Sequence, residues 1–423
     1  MGYFVDTDFI IPMIIDHLAD KDSVSLPHYT SCCLNVFAQI VLFSTAKFTT
    51  IHNHLHNILD LVSSSDYLNS ESVDVLEAVL KLTKNVIKSC GTECQKYKRD
   101  LFKVLLQLGS LPGTVHLHAE VDLAIELLAV RCGCKDTDEL FSMELEALLK
   151  EMKETYMNWD DNTADRFIFD MLCRKSNEAV VEHWELILEI VGMNCTYDKS
   201  SNLRMDMLAL IEHFLAKSSL QDTLQYYGEV LILGILQPCI EWRIGIPNVK
   251  IRQAGIVCMK KLIDCKLIEK EDLHKNFMDI FNNLKNCLDD DFSSEIRFAA
   301  TVLLKTMINY TGAQFVWDDF KEVYPELLKR LDDSQDGIRL EACKAFEIFF
   351  EVLPEDWAKN LVEYMVQNIF IHLDDSDTQI QEAIAVVLNK AAKVHKDVVI
   401  GIGRSMSGKF QHQTVIENLL ENI

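Results

Sequence analysis

The chain has 423 residues, 49% of them apolar and 25% charged, with 65 acids against 41 Lys and Arg and a formal net charge of −24. That much apolar surface supports a continuous core and excludes intrinsic disorder. The acidic balance argues against nucleic acid as the principal partner and favours basic protein partners, while only 7 Pro and 15 Gly are too few for the turns of an all-β chain.

The first six residues, Met1-Gly2-Tyr3-Phe4-Val5-Asp6, have no basic region and no small-residue cleavage site, so a secretory signal is not expected. Asp6 stands where a myristoylation sequence wants Ser or Thr. No apolar run reaches the eighteen residues of a membrane span. Thirteen cysteines without a signal fit a reducing, cytoplasmic compartment.

Phe9, Ile10, Ile11, Met13, Ile14, Ile15 and Leu18 crowd the first predicted helix. Weak helical units follow at Tyr29 to Ile40, Val73 to Ala78, Ala119 to Ala124, Asp165 to Phe169 and Asn202 to Leu208. In the second of these, Val75, Leu76, Val79, Leu82 and Val86 recur at helical spacing. Turns are expected at Cys132–Asp138, Gly192–Asn202 and Gly312–Asp318. Cys90 with Cys94 and Cys132 with Cys134 are close pairs that lack the spacing of a zinc site, so they read as free thiols. His52 and His56 lie one helical turn apart but without the glutamate of a helix-borne zinc motif, and His116 with His118 has no companion acid.

The second half of the chain repeats itself. Ile251, Ile296, Ile338 and Ile380 are 45, 42 and 42 residues apart, each within an Ile-Arg or Ile-Gln pair that opens a helix. All but the first follow a Leu-Asp-Asp turn: Leu288-Asp289-Asp290-Asp291, Leu331-Asp332-Asp333 and Leu373-Asp374-Asp375. A period of 40–47 residues marks HEAT or armadillo repeats, each a pair of helices, A and B, stacked on its neighbours. The expected fold is therefore an all-α superhelical solenoid of about nine helix pairs. Degenerate HEAT-like repeats are expected over residues 1–225, and clear repeats with a C-terminal capping helix over residues 226–423, in one continuous solenoid.

Within each repeat, Asp291, Asp333 and Asp375 lie five residues before the repeated Ile and read as N-caps of helix B. In the first unit Pro247 fits a helix start. Arg252, Arg297 and Arg339 follow the repeated Ile, and Arg297 and Arg339 stand six residues past their Asp. Asp–Arg contacts repeated along the stack would form a ladder at the junctions, a pattern that Gln381 interrupts. Ala254, Ala299, Ala342 and Ala383 are small where the two helices of a pair should approach closely. All of these are assigned structural roles in turns and caps, and no residue is assigned to catalysis, metal or cofactor. No His-Glu dipeptide, P-loop, Gly-x-Ser-x-Gly or Gly-x-Gly-x-x-Gly is present, so an enzyme is not expected.

Tyr324-Pro325-Glu326-Leu327-Leu328-Lys329-Arg330-Leu331-Asp332-Asp333 and Ile371-His372-Leu373-Asp374-Asp375, continuing through Ile380-Gln381-Glu382-Ala383 to Leu388, resemble the HEAT-repeat family of axonemal dynein assembly factors. Asn418-Leu419-Leu420-Glu421-Asn422-Ile423 is similar to the short terminal helix of that family. The likeness is carried by residues 226–423. The resemblance places Gln where a generic unit has Arg, so Gln381 conforms to it. It implies a cytoplasmic scaffold or co-chaperone that preassembles dynein arms for motile cilia or flagella. The implied partners are axonemal dynein chains and chaperones, with no cofactor, nucleic acid or membrane. Members are considerably longer, and the chain is expected to correspond to their C-terminal half. A generic HEAT adaptor, of the transport-receptor or phosphatase-scaffold kind, is the alternative.

Overall fold

The computed structural model describes residues 7–19, 26–43, 48–68, 70–111, 114–409 and 413–423. Every regular element among them is a helix, so the fold is an all-α HEAT-type solenoid. The chain divides into two compact units, Met1–Asn194 and Cys195–Ile423.

The first unit contains α1 (Thr7–Ala19), α2 (Pro27–Phe43), α3 (Phe48–Val62), α4 (Val73–Cys90), α5 (Lys98–Ser110), α6 (His118–Arg131), α7 (Thr137–Met152), α8 (Ala164–Lys175) and α9 (Trp184–Asn194). Its four weak sequence units fall on α2, α4, α6 and α8. Helix α4 buries Val75, Leu76, Val79, Leu82 and Val86, the stripe that its 3.6-residue period predicts, and packs along α2. Two polar side chains fix that packing. Asn85 Nδ2 donates to Ala38 O at 2.8 Å and Ser89 Oγ to Val41 O at 3.1 Å, so buried polar groups are satisfied across the helix pair. In α1, Ile11, Ile15 and Leu18 enter the core while Phe9 and Met13 stay exposed.

The second unit carries the regular repeats. Its helices are α10 (Ser201–Leu215), α11 (Ile246–Asp264), α12 (Phe277–Leu288), α13 (Ser294–Thr311), α14 (Trp317–Leu331), α15 (Asp336–Val352), α16 (Lys359–Ile371), α17 (Thr378–Met406) and α18 (Gln413–Asn422). The B helices α10, α11, α13, α15 and α17 pack side by side, and the A helices α12, α14 and α16 each lie against the next B helix. An aromatic seam joins the repeats: Phe277 to Phe315 with ring centroids at 4.7 Å, Phe315 to Phe320 at 5.4 Å and Phe320 to Phe349 at 5.3 Å. Helix α17 breaks at His395 (φ −123°, ψ 51°). Ile416 and Leu419 of α18 are buried, and a Cβ added at Gly403 would meet Leu420 at 2.8 Å.

The expected close approach at the repeated alanines holds only in part. Ala342 is fully buried, whereas Ala254, Ala299 and Ala383 are half-buried. In the first of these repeats the tight contact falls one residue later, at Gly255, where a Cβ would lie 3.0 Å from Ile240 Cγ2 and 3.3 Å from Cys239 Cβ.

Gly228 opens an A helix whose middle, Leu231–Leu236, is a π turn, and it is pressed against the segment after α11. A Cβ there would sit 1.9 Å from Leu267 O. Because backbone, not a flexible side chain, occupies that space, Gly228→Ala should destabilise by more than about 3 kcal/mol. Gly337→Ala, whose new Cβ would find only Phe298 at 3.9 Å, should be neutral or stabilising by at most about 1 kcal/mol. Urea unfolding of the two variants measures this contrast.

Candidate functional site

The repeat turns of the second unit are stitched to one another by buried ion pairs. Arg252 Nη2 donates to Asp290 Oδ2 at 2.6 Å, with both side chains almost wholly buried. Arg297 grips Asp333 with a fork, Nε to Oδ2 at 2.7 Å and Nη2 to Oδ1 at 3.0 Å. Arg339 Nη1 pairs with Asp375. Each arginine thus reaches the turn of the following repeat. It also holds its own turn: Arg252 Nη1 donates to Arg243 O at 2.7 Å and Arg297 Nη1 to Asp290 O at 2.9 Å, while Arg339 Nη2 pairs with Asp336. Gln381 keeps only this second role, donating to Asp375 O at 2.5 Å.

The first acid of two of these turns reaches in the same direction. Asp289 accepts from Arg330 at 2.6 Å and from Lys329 at 3.2 Å, and Asp332 lies 3.7 Å from His372. The Asp-Asp dipeptide therefore has one carboxylate for the arginine of the preceding B helix, and the other faces a basic side chain at the end of the next A helix, Arg330 at Asp289 and His372, whose proton affinity burial lowers, at Asp332.

Two sequence expectations are corrected here. The ladder acid of the second repeat is Asp290; Asp291 is exposed. This turn is one residue longer than the others, so the acid is found by counting two residues on from the leucine that ends helix A. Counting back from the repeated Ile finds the wrong one. Nor are Asp333 and Asp375 the N-caps. The residues at that position are Ser293, Gln335 and Asp377, of which Ser293 and Asp377 accept from Ile296 N and Gln379 N. Asp333 and Asp375 instead accept from Gln335 N and Asp377 N at 3.0 and 2.8 Å, closing the turn that precedes the cap. Pro247 lies in the first turn of α11 after the cap residue Gly245, where its missing donor costs nothing.

Electrostatics follow from this geometry. Burial works against the ionised form of Asp333, but the bonds from Arg297 and Gln335 N outweigh it and hold the carboxyl below its ordinary value. At Asp289, burial is likewise overcome by Arg330 and Lys329. A carboxylate held low in the folded chain stabilises it above its unfolded pKa, and that contribution disappears as pH falls through the folded value.

Beside the ladder, the exposed faces of α11, α13 and α15 form a groove of about 580 Å3. Val257, Phe298 and Val302 form its apolar wall, and Gln253, Lys260 and Glu295 supply polar groups. Further exposed apolar side chains lie in the turns leading into α11 and α13, including Ile244 at 82% and Phe292 at 86% exposure. Exposed apolar side chains gathered in a groove mark protein–protein contact. Sequence reasoning missed it because Val257 and Phe298 stand in helices whose other residues read as core.

The remaining sequence candidates are dispersed. All thirteen cysteines are free thiols, eight of them buried, and among the described residues no three His, Cys, Asp or Glu side chains are placed to hold a metal. His116 pairs with Glu77 at 3.5 Å, and the side chain of His52 lies outside the described residues. No described helix is long and apolar enough to cross a membrane.

The stitch is open to a double-mutant cycle. Arg297→Ala and Asp333→Ala should each cost about 1–3 kcal/mol, since each leaves a largely buried charge without its partner. The double variant should lose less than the sum, by about 0.5–3 kcal/mol of coupling. The gap in urea stability between the unmodified chain and Arg297→Ala should narrow as pH falls below about 4, the ordinary aspartate range.

Comparison with known proteins bears on identity. A family model described as dynein axonemal assembly factor 5, HEAT-repeat domain, matches residues 1–112. Dynein axonemal assembly factor 5 of Xenopus laevis is 21% identical, covering 100% of this chain and 50% of the relative. The Homo sapiens protein of that name is 22% identical, covering 100% and 49%. The chain thus spans about half the length of these curated relatives. Among solved structures, Kap121p bound to RanGTP is similar with a TM-score of 0.53 and 12% identity, over 95% of this chain and 40% of that one, which shows a shared fold. The family model matches the end of the chain opposite to residues 226–423, which carry the sequence resemblance, and the relatives align across both ends. The chain is thus similar to dynein axonemal assembly factor 5, and its first 112 residues to the HEAT-repeat domain of that family.

Proposed function

We propose that the protein is a non-enzymatic scaffold, acting in the cytoplasm, that takes part in preassembling axonemal dynein arms for motile cilia or flagella. It holds dynein chains while chaperones and other assembly factors fold them. The observation that carries this reading is the solvent-open apolar groove across three consecutive B helices, set on repeats whose spacing is fixed by buried ion pairs. A rigid, repeated face suits a large client, because each repeat adds contact area without rearranging its neighbours. The name borne by the relatives supports dynein as the client class.

Binding that favours the folded or assembling client stabilises it by mass action. Depleting the protein from cells with motile cilia should therefore leave cilia present but lacking dynein arms, with dynein heavy or intermediate chains unstable in the cytoplasm. Phe298→Glu, which places a charge on the groove wall, should abolish co-precipitation of dynein subunits while leaving the helical circular-dichroism signal unchanged. If arms assemble normally and no dynein subunit co-precipitates, the general adaptor reading, as transport receptor or phosphatase-type scaffold, replaces this one.

A further inference from the structure

In the first unit, α2, α4 and the start of α6 enclose a second groove, of about 430 Å3. It runs across three successive helices, as the apolar groove of the second unit does, but its lining is polar. Lys81, Lys84 and Lys88 lie along one side of α4 and face into it, joined by His116. The spacing is that of a single helical face, three and four residues apart.

The three ammonium groups are not equivalent. Lys84 pairs with Glu120 of α6, a stitch between repeats, and His116 with Glu77. Lys81 Nζ donates to Asn35 Oδ1 at 3.0 Å, a neutral partner, and has no ion pair among the described residues. Lys88 is exposed and makes no hydrogen bond or ion pair among the described residues, though its charge is felt by Glu120. In a chain where acids outnumber bases by 65 to 41, even a run of cations can be neutralised within the fold. The densest basic run of the sequence is: Lys96 pairs with Glu93, Lys98 and Arg99 with Glu144, and Lys103 with Glu151. Three lysines against Glu77 and Glu120, which also line the groove, leave it one positive charge in excess on a chain whose net charge is −24.

We propose that this groove binds an acidic peptide segment, whose carboxylates are taken by Lys81 and Lys88. The two lysines stand seven residues apart, about 10 Å along the helix axis. An extended peptide places same-face side chains about 6–7 Å apart, so acids at alternate positions can engage both lysines through their flexible stems. Charge complementarity of this kind gives specificity and fast encounter, and it weakens with salt.

The test uses the full chain and a fluorescein-labelled peptide of alternating Glu and Ser, read by fluorescence anisotropy. Saturable binding is expected, weakening with added salt. Lys81→Ala with Lys88→Ala should weaken it by about tenfold or more, a loss of about 1.4 kcal/mol. The pair Lys81→Arg and Lys88→Arg, which keeps both charges, should retain it, and so should Lys250→Ala, which removes an exposed lysine elsewhere. Lys84 is left intact because its pair with Glu120 holds two helices together. The proposal is overturned if binding does not saturate, if Lys250→Ala weakens it as much as the double variant, or if the charge-keeping variants also lose it. Tighter binding of a single-stranded oligonucleotide at the same lysines would overturn the assignment to a peptide.

Discussion

Register between repeats in the second unit depends on one recurring interaction, the arginine at the start of a B helix buried against the aspartate of the next turn. Both Arg252 and Asp290 are almost wholly removed from water, and such a pair recovers its desolvation cost only when geometry is good and the spare donors are used. Here they are. The same guanidinium that crosses to Asp290 also donates to Arg243 O. The net contribution to stability is therefore modest, while the cost of misplacing a neighbour is large, because a shifted repeat would leave both charges buried and unpaired. Apolar packing tolerates a range of offsets; this contact does not. It fixes the distance and angle at which each B helix meets the next, and so the spacing of every exposed side chain on the groove face.

This explains Gln381 better than the sequence pattern did. An arginine at this position does two jobs, one for its own turn and one for the turn ahead. After Asp375 the sequence has no further Leu-Asp-Asp turn, and α17 breaks at His395 and passes to α18. A forward-reaching cation would be left without its acid. Glutamine keeps the neutral bond to Asp375 O and brings no charge to neutralise.

The period and the fold class were legible because apolar spacing and the Leu-Asp-Asp turn are local features of the chain. The role of each acid was less so. Asp333 and Asp375 look like caps when read along the chain, since a carboxylate just before a helix is usually one. Their role is decided by Arg297 and Arg339, 36 residues earlier in both cases, and stacking alone brings them together. The one-residue insertion at Asp291 misled for a related reason. The turn hangs from the end of helix A, so the extra residue displaces the residues after it and not the acid before it. The lysine groove was hidden differently. Lys81, Lys84 and Lys88 are scattered in sequence and gathered by the helix, whereas the contiguous Lys96-Tyr97-Lys98-Arg99 run draws the eye and is neutralised inside the fold.

Stacking and surface chemistry are carried by different positions of the same helices. In α13, Ile296, Ala300, Leu303 and Leu304 are buried and Arg297 holds the stitch, while Phe298 faces solvent. In α4, Leu82, Val86 and Ile87 are buried, while Lys81 and Lys88 face the groove. Substitution on the exposed stripe changes the surface's binding chemistry without creating cavities, and conservative apolar exchange in the core changes little else, since volume and patterning suffice there. Divergence to 21–22% identity along the whole chain is consistent with such a division of labour. The same architectural position can then be apolar across α11, α13 and α15 and carry lysines on α4 between α2 and α6, because nothing in the packing of either unit dictates which it must be.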